Sequence, residues 1–354
     1  RLDIQGSGSF IVSITNISIK EVTGDQPRLN YDISNGVVQS CPSLLLEPAS
    51  TNLFTYSEDF SQSAWIKSAA VVTLTSQTAP DGTINSVYNL TGTNANLYTG
   101  GTTAVEYTIS FYIKSNGQGK DTCKLRLGNS ISSQITATDQ WIRHEFTATP
   151  TSSVFGLTVD SSPNNEWDIL IWGAQVEALS YATSYIPNFG QSAGVTRAAE
   201  TCFGAGTSST FNSTEGVLYC EISALADDTT ERKLTLSDGT TTNTVKLQWG
   251  GTANQFYFFI SDSSGNVSDI RHVVASVLDY HKVACKWKVN DFALWIDGVE
   301  VGTDTSGAVW AAGTLNELAF DNGTGTQTIY SKTKDIRVYN EALTDAQLQT
   351  LTTL

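Results

Sequence analysis

Between residues 83 and 178 the chain repeats one pattern: a short run of alternating apolar and polar side chains, then a turn signal. The runs fall at 83–90, 106–115, 123–128, 141–149, 153–159 and 166–178, with turn clusters such as Pro80-Asp81-Gly82 and Asn116-Gly117 between them. A period of two sends one set of side chains to a core and the other toward solvent, which marks antiparallel strands. No helical period competes. Short strands at this spacing lead to a sandwich or jelly roll.

The same texture resumes from about residue 197 to the end. Runs at 216–225, 233–239, 244–251, 255–267, 281–289, 291–301, 315–320 and 334–340 read as a second set of strands. In HKVACKWKV, Lys282, Lys286 and Lys288 share one face while Val283, Cys285, Trp287 and Val289 share the other, so this strand is expected to be half-buried. Asn290-Asp291 turns the chain, and Asp297-Gly298 suits a type I′ hairpin. Thr344-Asp345-Ala346-Gln347 is a capping-box pattern that opens a short helix, with Leu348 and Leu351 on one side.

A length of 354 residues exceeds one ordinary sandwich and suits two. Residues 1–22 end in FIVSITNISIKEV, a lone strand that cannot bury itself and reads as the last strand of a preceding module. Residues 23–46, with Gly24, Pro27, Asn35, Gly36 and Pro42, read as a linker. The first module is then placed at 47–190 and the second at 197–354. The expected fold class is all-β: two tandem antiparallel β-sandwich domains, one jelly-roll and one concanavalin-like, with a short C-terminal helix. The chain begins at Arg1, contains no Met and shows no signal-peptide pattern, so a longer parent polypeptide is expected.

Only 16% of the residues are charged and the net charge is −15. Nucleic acid is an unsuitable partner for such a surface, because phosphate binding needs a basic stripe. No apolar run reaches the roughly 18 residues of a membrane span. The five cysteines show no CxxC spacing and no Cys/His cluster, so zinc is not indicated. Cys220 and Cys285 lie in phase with apolar neighbours and read as buried small hydrophobes; a disulfide between some pair is left open.

VACKWKVNDFALWIDGVEVG, LNELAFDNGTG and DIRVYNEALTDAQLQTL carry a resemblance to the laminin-G-like and concanavalin-A-like lectin domains. PRLNYD, LLLEPASTNLFTYSEDFSQSAW, YTISFYIKS, WIRHEFTAT, IWGAQVEALSYATSYIP and GVTRAAE resemble, in that order, a carbohydrate-binding-module-like jelly roll of tailed-phage tail and fibre proteins. The resemblance implies a virion-surface, extracellular protein of the tail fibre, tail spike or head fibre type. Its implied partners are a host-surface glycan, other virion proteins and further copies of itself, a trimer being one form. It also implies calcium as a structural cofactor. Such folds host many activities, so function has to be argued from side chains.

Catalytic constellations are thin. Glu166 and Asp168 put two carboxylates on one strand face, yet Ile169, Leu170 and Ile171 follow, so the second catalytic glutamate of a lectin-like glycosidase strand is absent. His144 after Arg143 is the best start for a lyase site, but no strand offers a matching partner, and an ordinary strand histidine is the plainer reading. No G-x-S-x-G elbow is present. A non-catalytic protein is expected. Among eight tryptophans, Trp65, Trp141, Trp172, Trp287 and Trp295 fall on core phases. Trp249 before Gly250-Gly251, Trp310 in a loop, and Tyr257, opposite in phase to Phe256 and Phe258, are the sugar-platform candidates. Asp321 and Asn322, ahead of Gly323, could bond sugar hydroxyls or bind calcium, with a plain turn as the simpler reading. Glu47, Asp59, Gln175 and Glu177 flank the first and last strands of the first module and form the candidate calcium set.

Overall fold

The computed structural model describes residues 27–31, 33–34, 37–38, 40–158 and 166–354. Tyr88–Gly100 is the spine of the first module. Ile66–Leu74 pairs along one side of it; on the other side Glu166–Glu177 pairs with its first half and Val154–Thr158 with its second. From there one wing continues through Tyr107–Ser115 to Ile142–Ala148, and the other through Thr122–Leu127 to Ser130–Ile131, every pairing antiparallel. The wings face each other across one core that includes Leu90, Phe111, Leu125, Phe155 and Trp167. Each large side chain fully removed from water there contributes roughly 1.5–3 kcal/mol.

The second module is a two-sheet sandwich. One sheet runs Arg28–Asn30, Ser43–Leu46, Ser331–Tyr339, Glu215–Ala224, His281–Lys288, Phe292–Ile296, Val299–Asp304. The other runs Gly265–Val273, Thr252–Asp262, Thr244–Gly250, Arg232–Ser237, Glu317–Ala319. Val283, Cys285 and Trp287 meet Leu234, Leu247, Phe256 and Phe258 in the core between them. Asp297 (φ 51°) and Gly298 (φ 83°) make the expected hairpin turn. The helix Asp345–Thr352 starts at Thr344 with the capping box formed, and Leu348 is buried. This helix covers the lysine face of His281–Lys288, where Ala284 and Trp295 join Leu348 in a smaller cluster. Lys286 is therefore buried, 2.7 Å from Asp291, rather than solvated.

The all-β fold class, with its tandem sandwiches and terminal helix, is what the chain adopts. The stretch 23–46 is more than a linker. Arg28–Asn30 and Ser43–Leu46 form a hairpin, and Ser43–Leu46 pairs with Ser331–Thr333 of the second module. Leu46 is buried in the second core and Leu44 packs against it, while Leu45 is buried on the opposite face of the strand. The strand expected within 1–22 lies outside the described residues. All five cysteines are free thiols.

Candidate functional site

A β-bulge organises the first module's open face. Register slips between Trp172 and Gln175, with Gly173 in the left-handed region at φ 62°, the extra residue of a bulge. Strict alternation would put Trp172, Ala174 and Val176 on one face. The bulge sends Ala174 and Val176 to the core and leaves Trp172, Gln175 and Glu177 facing away from it.

Gln175 and Glu177 then hold down a strap, residues 179–190, that crosses this face. Gln175 Oε1 accepts from Ile186 N–H at 2.6 Å, and its amide donates to Thr183 O at 3.3 Å. Glu177 accepts from Ser50 Oγ at 2.5 Å, from Thr183 N–H at 3.0 Å and from the Thr183 hydroxyl. Asn52, fully buried, donates to Ser57 Oγ (2.9 Å), Ala174 O (3.1 Å) and Ile186 O (2.8 Å), and accepts from Phe54 N–H (3.1 Å) and Val176 N–H (3.2 Å). Glu47 accepts from Ser184 N–H at 2.8 Å and pairs with Arg197 at 2.9 Å and with Arg28, which also pairs with Glu200.

The strap delivers Tyr185 to an aromatic corner. Its ring centroid lies 4.7 Å from Trp172 and 6.4 Å from Tyr112; Tyr112 and Trp172 are 5.3 Å apart, and Trp141 packs beside them. Tyr112, Trp141 and Tyr185 are half-buried. Their polar handles are tied inward: Tyr185 OH donates to Glu58 at 3.0 Å, Trp141 Nε1 to Thr78 O at 3.0 Å and Trp172 Nε1 to Ser86 Oγ at 3.2 Å. Arg143 lies over Tyr112 at 5.7 Å and donates to Thr183 O and Ser110 Oγ. Burial raises the Glu58 pKa; the Tyr185 hydrogen bond opposes this and the Asp81 charge adds to it. Tyr185, Trp141 and Trp172 are thus fixed by hydrogen bonds at their edges, and Tyr112 by its packing against Trp172 and Tyr185. Rigid ring faces with a few placed polar groups are what binding sites for small organic ligands offer.

The second module has a comparable face, on the side of its five-stranded sheet away from the core. Tyr257 and Phe259 stack there at 5.7 Å, 19° from parallel, and the Arg271 guanidinium lies over both at 5.1 and 5.5 Å. Lys246 is the cross-strand neighbour of Phe259.

The sequence candidates fare differently. Trp249 (1% exposed) and Trp310 (7%) are core residues. Trp249 keeps the inward phase of Val245 and Leu247 and pairs with Phe256, and the register shifts only after it, at Gly250. Tyr257 faces away from the core, as its phase requires, but is only 4% exposed beneath Arg271. Asp321 and Asn322 build their own turn: Asp321 accepts from Gly323 N–H at 2.7 Å, and Asn322 bonds Thr324 and Thr326. The five residues do not converge on one site. Of the calcium set, Glu47, Gln175 and Glu177 meet at the strap, but their oxygens face N–H, O–H and guanidinium donors, which a cation would have to displace. Asp59 has separate partners, Ser61, Gln62 and Tyr88. The residues do not fit a calcium cage, and among the described residues no cluster of three or more His, Cys, Asp or Glu suits a metal.

Sequence reasoning passed over Tyr112 and Tyr185. Tyr112 was readable from its phase in EYTISFYIKS, opposite to Phe111. Tyr185 was not, because its position depends on the bulge and the strap.

No protein family and no curated protein matches this chain. Solved structures do. The Ruminococcus gnavus IT-sialidase CBM40 is 15% identical, covering 43% of this chain and 94% of that one with a TM-score of 0.36. The CBM22-1–GH10 modules of Clostridium thermocellum xylanase 10B are 17% identical, covering 40% and 30%, at 0.27. The binding domain of botulinum neurotoxin DC is 8% identical, covering 93% and 51%, at 0.26. Likeness at this level assigns no ligand to this chain.

Proposed function

We propose that this is a non-catalytic glycan-binding protein, carried on a virion surface as part of a tail fibre, tail spike or head fibre, that attaches the particle to its host. The observation that carries glycan binding is the aromatic corner of the first module. Tyr112, Trp141 and Tyr185 present half-buried rings, Tyr185 held by the strap, Trp141 by Thr78 and Tyr112 by its ring neighbours, against which the C–H face of a pyranose can pack. The virion setting rests on the sequence resemblance. Weak single sites gain strength by repetition, so an oligomer is the working form.

The non-catalytic reading is supported by how the acid–base candidates are used. His144 shares the inward side of its strand with Phe146, its Nε2 is buried without a partner, and burial lowers its pKa. Arg143 points to the opposite side. Glu166 pairs with Lys120 at 2.7 Å, and Asp168 accepts from Asn116 at 2.8 Å.

A glycan array tests the reading. Tyr112→Ala and Trp141→Ala are each expected to weaken retention of a bound glycan about tenfold, or roughly 1.4 kcal/mol, without unfolding the chain. Retention unchanged in both variants refutes the site. The ion pairs joining Arg28, Glu47, Arg197 and Glu200 at the module junction favour a second reading, a rigid structural spacer. No glycan retention together with tight particle attachment would select it.

A further inference from the structure

Lys246 sits on the open face of the five-stranded sheet in a setting that no structural role explains. It is half-buried, and its ammonium donates to Ser261 Oγ at 3.3 Å. None of the ion pairs among the described residues includes it, although the chain carries 35 acidic side chains against 20 basic ones. Burial lowers its pKa, the neighbouring Lys233 charge adds to the effect, and the Glu231 charge opposes it from a distance without forming an ion pair. A desolvated ammonium beside a second cation is costly unless an anion compensates it. Lys233 already has Glu231 at 3.2 Å and Gln327 at 2.8 Å. Arg271 is neutralised by Asp269 through two bonds of 2.7 and 2.6 Å. Among the described residues, Lys246 is therefore the cation of this face that makes no direct ion pair.

Its surroundings supply the rest of a site. On one side Lys246 is in register with Phe259, a half-exposed ring braced by Tyr257 and Arg271. On the other side it is in register with Thr235, whose hydroxyl is buried without a hydrogen-bond partner. We infer that this face binds a carboxylate-bearing sugar, a hexuronate or a nonulosonate, with the carboxylate on the Lys246 ammonium and the sugar ring against Phe259. The inference takes its ligand class from the glycan-binding reading, but the site is separate from the aromatic corner. A chain of net charge −15 repels long polyanions, which favours a short or terminal acidic residue.

The test uses the full chain on a densely printed array of uronate- and nonulosonate-terminated glycans, their methyl esters, sulfated glycans and neutral glycans. Carboxylated members should be retained at least tenfold better than their esters. Lys246→Gln should abolish that preference and Lys246→Arg should keep it. The melting temperature of Lys246→Gln should equal or exceed that of the parent, since the lysine contributes no ion pair to the fold. Tyr112→Ala should leave carboxylate binding intact, and Lys246→Gln should leave neutral-glycan binding intact, so the two sites fail separately. The inference is overturned if no carboxylated glycan is retained, if esters or sulfated glycans bind as well, or if Lys246→Gln changes nothing.

Discussion

Asn52 is the residue on which the strap depends most. It is fully buried and its amide reaches five partners, the two N–H groups shared among three acceptors and the oxygen accepting twice, which join the Ser50–Asn52 strand to the bulge at Ala174 and Val176 and to the strap at Ile186. Asn52→Leu keeps the approximate shape and removes every one of these hydrogen bonds. A buried polar group left without a partner costs roughly 1–3 kcal/mol. If two of the five groups cannot reach water or another partner, the loss is about 4 kcal/mol, a large share of the roughly 5–15 kcal/mol that holds a domain together. With a urea m-value of about 2 kcal/mol/M, the unfolding midpoint should fall by about 2 M. Ser57→Ala, which removes one of these bonds and also the acceptor of the strap's Asn188 N–H at 2.8 Å, should cost about 2 kcal/mol. Urea titration followed by tryptophan fluorescence reads both. An Asn52→Leu midpoint within about 0.5 M of the parent would show that the amide is not what fastens the strap.

Three further outcomes follow from the same geometry. Gly173→Ala forces an L-residue to φ 62° with its Cβ 3.0 Å from the Tyr112 ring, so calorimetry should show a loss of about 1–2 kcal/mol, with weaker glycan retention; an unchanged melting temperature refutes the bulge argument. Burial opposes ionisation of Asp59, but hydrogen bonds from Ser61, Gln62 and Tyr88 outweigh it and hold the pKa at about 2. Because the folded value lies below the unfolded one, this stabilisation is complete above the unfolded pKa and fades as pH falls through about 2; Asp59→Asn should flatten the acid limb of the stability curve, and parallel limbs would contradict this. Incubation with EDTA should leave the melting temperature unchanged, since the strap carboxylates are already hydrogen-bonded; a fall of several degrees would restore calcium to the strap.

Much of the scaffold was legible because its signals are local. Alternation in HKVACKWKV located Val283, Cys285 and Trp287 in the core, Asp297-Gly298 fixed a hairpin, and Thr344 to Gln347 opened the helix. The misplacements share a cause, which is that burial is decided by partners distant in sequence. Trp249 precedes two glycines, yet cross-strand pairing with Phe256 keeps it in the core. Trp310 lies outside any strand and still reaches the core of the second module. Lys286 shares a face with exposed Lys288, but the terminal helix closes over it. Tyr185 becomes part of a site only because Gly173 shifts the phase of Gln175 and Glu177, and periodicity alone would place Ala174 and Val176 beneath the strap. Leu44 to Leu46 read as linker because their partner strand, Ser331–Tyr339, comes at the other end of the chain.

The Leu46 strand also bears on how the protein carries load. The backbone leaves the second module's sheet after Leu46, builds the first module, and returns beside its point of departure, where Glu200 N–H meets Glu47 O at 2.9 Å. The first module is thus a side branch on a closed neck, not a bead on a string. Tension along the polypeptide would pass across that neck and through the larger sheet, bypassing the aromatic corner.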